Sequence, residues 1–246
     1  MKTGTFVCFD CEATGLDVEK DRIIEVAAIV FTFDGEIASF ETLVDPEMAI
    51  PPESTKIHNI TDDMVKGKPK IGEVLPALLA LVEKHPVVGH SIGYDIDLVK
   101  EECKRCNITT SLGQKPIVDT LRLARLYGET PVNSLQKLRE HFNIPMDIAH
   151  RAMGDVLVNI SVFKYLSKQF TTLEKLLERM KKPIPLKVMP LGKHRGRPFN
   201  EIPVQYLSWA ARQDFDDDLI FSLRSELKKR NQGNRFSSSA NPFADL

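Results

Sequence analysis

The sequence predicts an α/β fold, a mixed sheet flanked by helices, with a small basic module after it. Three observations carry this reading. Strand-like runs come first, at 5–11, 22–33 and 36–44, and Asp34-Gly35 joins the last two as a hairpin turn. Helical spacing then alternates with short apolar runs, which places helices against a sheet that is no longer purely antiparallel. Beyond Pro183 and Pro185 the composition shifts toward glycine and cations.

Each element follows from local pattern. Phe6-Val7-Cys8-Phe9 is apolar on both faces, as a central buried strand requires. After the hairpin, Pro46, Pro51 and Pro52 form a connector into Lys56-Ile57-His58-Asn59-Ile60-Thr61. Apolar positions 74, 75, 78, 79 and 82 share one helical face, and that helix is expected to stop before Pro86. Val87-Val88-Gly89 reads as a short buried strand. A helix at 95–106, a strand at 116–119 and helices at 120–127, 134–142 and 152–169 complete a first domain expected over 1–180. A basic module is expected over 183–232, with helices at about 203–212 and 216–230. Asn, Gly, Ser and Pro dominate from Asn231, so 233–246 is expected to be a disordered tail.

Bulk properties narrow the class. The chain has 246 residues, 42% hydrophobic and 27% charged, as in an ordinary globular protein. No apolar run is long enough to span a membrane, and neither a secretion signal nor a membrane role is expected. With four cysteines, the expected setting is the reducing cytoplasm. Charge is uneven: residues 1–179 carry 21 Lys and Arg against 27 Asp and Glu, whereas 180–235 carry 12 against 6. An acidic body joined to a basic part suits a metal site working on a polyanion; drifting surface charge is the plainer alternative.

Cys8-x-x-Cys11 and Cys103-x-x-Cys106 have the spacing of zinc ligands. Strand parity argues otherwise, because positions 8 and 11 point to opposite faces of a strand. These cysteines are expected to be packing residues.

Asp10 and Glu12 do share a face, at the end of an apolar strand. Two such carboxylates repel one another unless a cation lies between them, and hard divalent ions take oxygen ligands. Taken alone, two acids at a strand end are common on surfaces. Asp95, after Val88-Gly89-His90-Ser91-Ile92-Gly93-Tyr94, alone reads as a helix cap. His150 lies five residues before Asp155, so the two converge only if His150 sits in the loop preceding the helix.

Together, D-x-E, then G-H-x-x-x-Y-D, then H-x-x-x-x-D form an ordered set. It resembles the DEDDh group of 3′–5′ exonucleases, the DnaQ-like proofreading family that includes polymerase III epsilon-like proteins and has an RNase H-like fold. The resemblance covers about residues 3–168, with Ile57-His58-Asn59-Ile60-Thr61 and Val118-Asp119-Thr120-Leu121 as supporting pieces. It implies that Asp10, Glu12, Asp95 and Asp155 hold two divalent ions, Mg²⁺ or Mn²⁺, and that His150 is the general base. It also implies that the backbone at Thr14 and the apolar side chain of Leu16 hold the terminal nucleotide, that His58 contacts its sugar or base, and that Ser91 touches the nucleotide or supports the site around it. Family members often carry Asn at the Ser91 position, and Ser reaches less far. Asp119 is read as support rather than a ligand, and Asp97 as pointing away.

Leu191-Gly192-Lys193-His194-Arg195-Gly196-Arg197, with Ile202-Pro203 and Tyr206-Leu207-x-Trp209, resembles the C-terminal domain of exodeoxyribonuclease X-like proteins. Lys193, Arg195 and Arg197 are expected to contact nucleic acid, and Trp209 to sit in the module's core. The implied substrate is single-stranded or 3′-ended DNA, cleaved to nucleoside 5′-monophosphates in repair or proofreading. RNA trimming by the same site is the alternative. A silent binding module would predict loss of an acid or the histidine, and all five are present. A DNA polymerase is the protein partner considered, and a sliding clamp could be met by the apolar-tipped tail Asn241-Pro242-Phe243-Ala244-Asp245-Leu246, whose plainer reading is disorder.

Overall fold

The computed structural model describes residues 4–127, 133–145 and 151–238. It divides into two compact units, the described parts of Met1–Ala124 with Asn133–Arg179, and of Arg125–Val132 with Met180–Leu246.

The first unit is built on five strands: β1 (Phe6–Ala13), β2 (Ile23–Phe31), β3 (Glu36–Leu43), β4 (Val87–Gly89) and β5 (Ile117–Asp119). Their order is β3-β2-β1-β4-β5. The β1–β2 and β2–β3 pairs are antiparallel, and β1–β4 and β4–β5 are parallel, so the sheet is mixed as expected. Central β1 and β2 have no exposed residue, which is why their sequences are apolar on both faces apart from Asp10, Glu12 and Glu25.

Parity along β1 sorts its side chains. Val7, Phe9 and Cys11 enter a core with Val74, Leu75, Leu78 and Val82 of α3 (Ile71–Val82) and Leu98, Val99 and Cys103 of α4 (Gly93–Arg105). The other face meets α7 (Ala152–Leu166): the Phe6 and Phe163 rings lie 5.0 Å apart, and Cys8 Sγ donates to Val156 O at 3.8 Å. Asp10 and Glu12 belong to this second face.

Several elements depart from pattern. The Pro-rich connector is a helix, α1 (Pro52–His58), with Pro52 in its first turn, where a missing N–H costs nothing. Asn59 ends it in the left-handed conformation (φ 59°). A four-residue turn, α2 (Asp62–Val65), follows. α5 (Thr120–Tyr127) and α6 (Leu135–His141) lie where helical spacing placed them. The helix expected at 152–169 ends as a 3₁₀ turn, and a separate helix follows, α8 (Leu173–Met180), with Leu176 and Met180 buried one turn apart.

In the second unit Met189, Phe199, Ile202, Leu207, Ala210, Leu219 and Leu223 form a core between α9 (Val204–Ala210) and α10 (Asp217–Ser238). Trp209 is not part of it, contrary to expectation. Leu207 and Ala210 take the buried face of α9, and Trp209, about 200° round from Leu207, is 52% exposed. α10 continues to Ser238, beyond the point where composition suggested order would end. Arg230 secures it through Glu226 and the carbonyls of Phe199 and Ile202. Residues 239–246, including the segment considered for a clamp, lie outside the described residues.

Candidate active site

Two elements bring three acids together. β1 ends with Asp10 and Glu12 toward α7, and their cross-strand partners on β2 are Ala27 and Glu25. Asp155 lies in the first turn of α7, whose backbone closes from Asp155 N to Arg151 O at 3.1 Å. Asp10, Glu12 and Asp155 each offer a carboxylate oxygen, and these lie within 4.8 Å of one another. That donor set, three half-buried carboxylates, fits a hard divalent cation. Asp95 stands beside the trio. It opens α4 after β4, is buried, and accepts from Cys11 N at 2.9 Å, which ties α4 to β1 beside Asp10.

The crowding shows in the proton affinities. Burial, then the charges of Asp95, Asp155, Glu12 and Glu25, hold the Asp10 carboxyl well above the usual carboxylate range. Burial, followed by Asp155, Glu25 and Asp95, pushes Glu12 up to about 7, with Arg151 opposing. Burial also raises Asp95 to about 7, although the hydrogen bond from Cys11 works the other way. A cation in their midst supplies the charge that protons otherwise provide.

This has a measurable consequence. Without a divalent ion, these carboxyls bind protons more tightly folded than unfolded, so stability falls as pH rises through about 7. The expected melting temperature in EDTA declines from about pH 5.5 to about pH 8, and the increment produced by Mg²⁺ or Mn²⁺ grows over that interval. Scanning calorimetry across the two conditions measures it. An increment that shrinks with pH contradicts metal binding by these acids.

The remaining predicted residues fall in different places. His150 lies outside the described residues. Leu16 is 89% exposed beside the first motif, free to meet a ligand. Thr14, in contrast, is buried: its hydroxyl donates to Asp21 Oδ1 (2.8 Å) and accepts from Arg22 N (3.0 Å). Its carbonyl takes the Ser54 hydroxyl at 2.6 Å, and Tyr94 Oη donates to Gly15 O at 2.5 Å. Thr14 therefore shapes this loop from within, and its side chain does not face solvent. A Cβ on Gly15 would come within 2.4 Å of the Asp21 carboxylate, so the turn needs glycine.

His58 is also buried. Its Nδ1 accepts from Ile60 N at 3.0 Å, and its Nε2 has no hydrogen-bond partner among the described residues. Burial lowers its proton affinity, against the pull of Glu25. Ser91 is exposed with φ 56°, a conformation Asn adopts more readily, and its N–H donates to Asp119 Oδ1 at 3.0 Å. Asp119 also accepts from Leu121 N at 2.8 Å, fastening the turn ahead of Asp95 to the end of β5. Asp97 is exposed and lies 4.0 Å from Lys100. Lys193, Arg195 and Arg197 belong to the second unit and are exposed.

One contributor was not foreseen. Glu25, fully buried on β2 opposite Glu12, binds Arg151 in bidentate fashion, with Nε at 2.9 and 3.0 Å from its two oxygens and Nη2 closing on Oε1. It also accepts from Ala152 N at 3.0 Å, so it caps α7 one turn before Asp155. An anion at a helix N-terminus satisfies an otherwise orphaned N–H and complements the dipole. The sequence signal for it was an acid inside the apolar run Ile23-Ile24-Glu25-Val26-Ala27, which only a partner makes tolerable.

The chain is 36% identical over 162 residues to DNA polymerase III subunit epsilon of Treponema pallidum, covering 64% of this chain and 74% of that protein. It is 35% identical over 166 residues to DNA polymerase III PolC-type of Clostridium perfringens, but spans only 11% of that protein and 67% of its own length. Among solved structures, E. coli exonuclease I in complex with a dA16 oligonucleotide shares the fold with a TM-score of 0.63 at 20% identity, over 72% of this chain and 43% of that one. A family model described as a quorum-sensing-regulated virulence factor matches residues 174–222. The model described as Exonuclease matches residues 7–163, well over half of the chain, and the protein belongs to that family.

Proposed function

We propose that this chain is a divalent-metal-dependent 3′–5′ exonuclease that shortens DNA from its 3′ end and releases nucleoside 5′-monophosphates, in proofreading or repair. The observation that carries the reading is the convergence of Asp10, Glu12 and Asp155, from β1 and α7, on one point within 4.8 Å. The epsilon relative, of which this chain covers 74%, favours DNA over RNA.

In this reading Asp10, Glu12 and Asp155, with Asp95, would hold two ions, Mg²⁺ or Mn²⁺. Such ions would acidify the attacking water and neutralise charge on the scissile phosphate. His150, just before the Arg151 cap, would take the proton as water attacks phosphorus and the bond to the 3′-oxygen breaks; an imidazole titrating near neutrality suits that task. Leu16, exposed beside the carboxylates' loop, would pack against the terminal base, while the Ser54, Tyr94 and Asp21 contacts keep residues 14–16 in shape.

The test gives the full chain 5′-labelled DNA and RNA of one sequence with Mg²⁺, Mn²⁺ or EDTA. The expected result is a ladder of DNA products shortened from the 3′ end, present with either metal and abolished by EDTA. Immediate release of the labelled 5′ nucleotide, or degradation that persists in EDTA, overturns the proposal. Preferential shortening of RNA moves the assignment to the ribonucleolytic alternative, since the carboxylates alone do not discriminate the 2′-hydroxyl.

A further inference from the structure

The second unit exposes a large aromatic where a small domain usually buries one. α9 turns Leu207 and Ala210 into the core, leaving Trp209 52% exposed. Trp209 is supported from behind. Its ring lies 5.3 Å from that of Tyr206, and Tyr206 packs edge-on against the buried His194 ring at 4.5 Å and 80°. His194 belongs to the loop 191–197, so the aromatic row is fastened to that loop.

The loop has a defined shape. Met189 N donates to Arg197 O at 2.9 Å, Gly196 N to Met189 O at 2.7 Å, and Arg195 N to Gly192 O at 3.1 Å. Gly192 (φ 70°) and Gly196 (φ 81°) take positive φ, and a Cβ on Gly192 would lie 2.8 Å from the Tyr206 hydroxyl. Glycine there lets the loop backbone lie directly on Tyr206.

This loop carries Lys193, Arg195 and Arg197, all exposed, and none makes a side-chain hydrogen bond or ion pair among the described residues. Structural cations in the same unit behave differently. Arg125 is bound by Asp216 and Asp218, and Arg230 by Glu226 and two carbonyls. Lys193, Arg195 and Arg197, like other exposed cations of the unit, stay without such partners, and they lie on the loop whose His194 packs against Tyr206. Unpaired cations attract phosphates, and a solvent-facing indole offers a stacking face to any unpaired base. A duplex would hide its base faces, so the complement of this surface is a single strand.

We propose that Trp209 and Tyr206, together with Lys193, Arg195 and Arg197, form a binding surface for single-stranded nucleic acid in the second unit. The assignment goes beyond the catalytic reading and does not depend on it.

Trp209 is the only tryptophan of the chain, so its fluorescence reports this surface alone. The experiment titrates the full chain with oligo-dT of about 12 nucleotides in EDTA, following tryptophan emission and, with a labelled strand, anisotropy. Saturable quenching is expected, with affinity falling as salt rises. Changing Lys193, Arg195 and Arg197 together to Ala should reduce the log–log salt slope by about 2, at about 0.7 for each phosphate no longer neutralised. Trp209→Ala, followed by anisotropy, should weaken binding about 5- to 100-fold while leaving the melting temperature unchanged. Anisotropy that reports binding while tryptophan emission stays constant overturns the proposal. An unchanged salt slope in the triple variant does the same. Equal quenching by polyglutamate assigns the surface to acidic peptides instead and also overturns it.

Discussion

Asp155→Asn is expected to lower Mg²⁺-supported shortening of a DNA 3′ end by about 10³-fold or more, because charge stabilisation by a correctly held ion amounts to several kcal/mol. The same variant should not be less stable than the wild type in EDTA near pH 8. Asp155 is one of three acids crowded within 4.8 Å, and its charge helps to hold Asp10 and Glu12 above their usual proton affinities. Removing one of three repelling charges relieves strain that the folded apoprotein otherwise bears. Stability and activity should therefore move in opposite directions, which a general packing defect does not produce. A third measurement separates the metal assignment further: the rise in melting temperature on adding Mn²⁺ should largely disappear in Asp155→Asn. Asp10→Asn should behave alike, since its carboxylate belongs to the same trio. Wild-type activity in Asp155→Asn, with its Mn²⁺ increment intact, would falsify the assignment.

Where sequence succeeded and where it did not depended on the distance over which the physics acts. Phe6-Val7-Cys8-Phe9 could be read as a central strand because two-faced burial is written locally, and strand parity then put Asp10 and Glu12 on one face. Asp34-Gly35 set the hairpin for the same reason. The fixing of Thr14 was not legible, because its hydroxyl goes to Asp21, seven residues on, and its carbonyl takes the hydroxyl of Ser54, forty on. Trp209 was assigned by its hydrophobicity, whereas the face of a seven-residue helix is decided by which neighbours bury it, here Leu207 and Ala210. Glu25 is the clearest case. Its partner Arg151 is 126 residues away, and no local pattern joins them. Glu25 nonetheless invited the same inference as Asp10, since an acid inside a buried strand implies a counter-charge somewhere.

That pair carries the second large effect. Glu25 is fully buried, while the Arg151 side chain is 29% exposed, so the two single deletions are not equivalent. Arg151→Met leaves a buried carboxylate with, among the described residues, Ala152 N as its remaining hydrogen-bond partner, and Glu25→Met leaves a half-buried guanidinium and an uncapped helix. Each should cost about 3–5 kcal/mol, the first the more, or roughly 6–20 °C in melting temperature for a unit of this size. Joining the two changes should restore most of that loss, because two apolar side chains of similar length replace a buried ion pair at little net cost. Catalysis should not recover with stability. The Glu25 carboxylate also fixes the N-terminus of α7, with Asp155 one turn inside it and position 150 immediately before Arg151. Freed from that anchor, a misplacement of about 1 Å at the carboxylates is enough to lower kcat about 10²-fold. KM should change little where the pair acts only through the placement of α7. Melting curves and single-turnover rates on the two single variants and the double variant measure both halves. A double variant with wild-type melting temperature and wild-type kcat would show that the pair only stabilises the fold. Recovered stability with a depressed kcat would show that it aims α7 at the site.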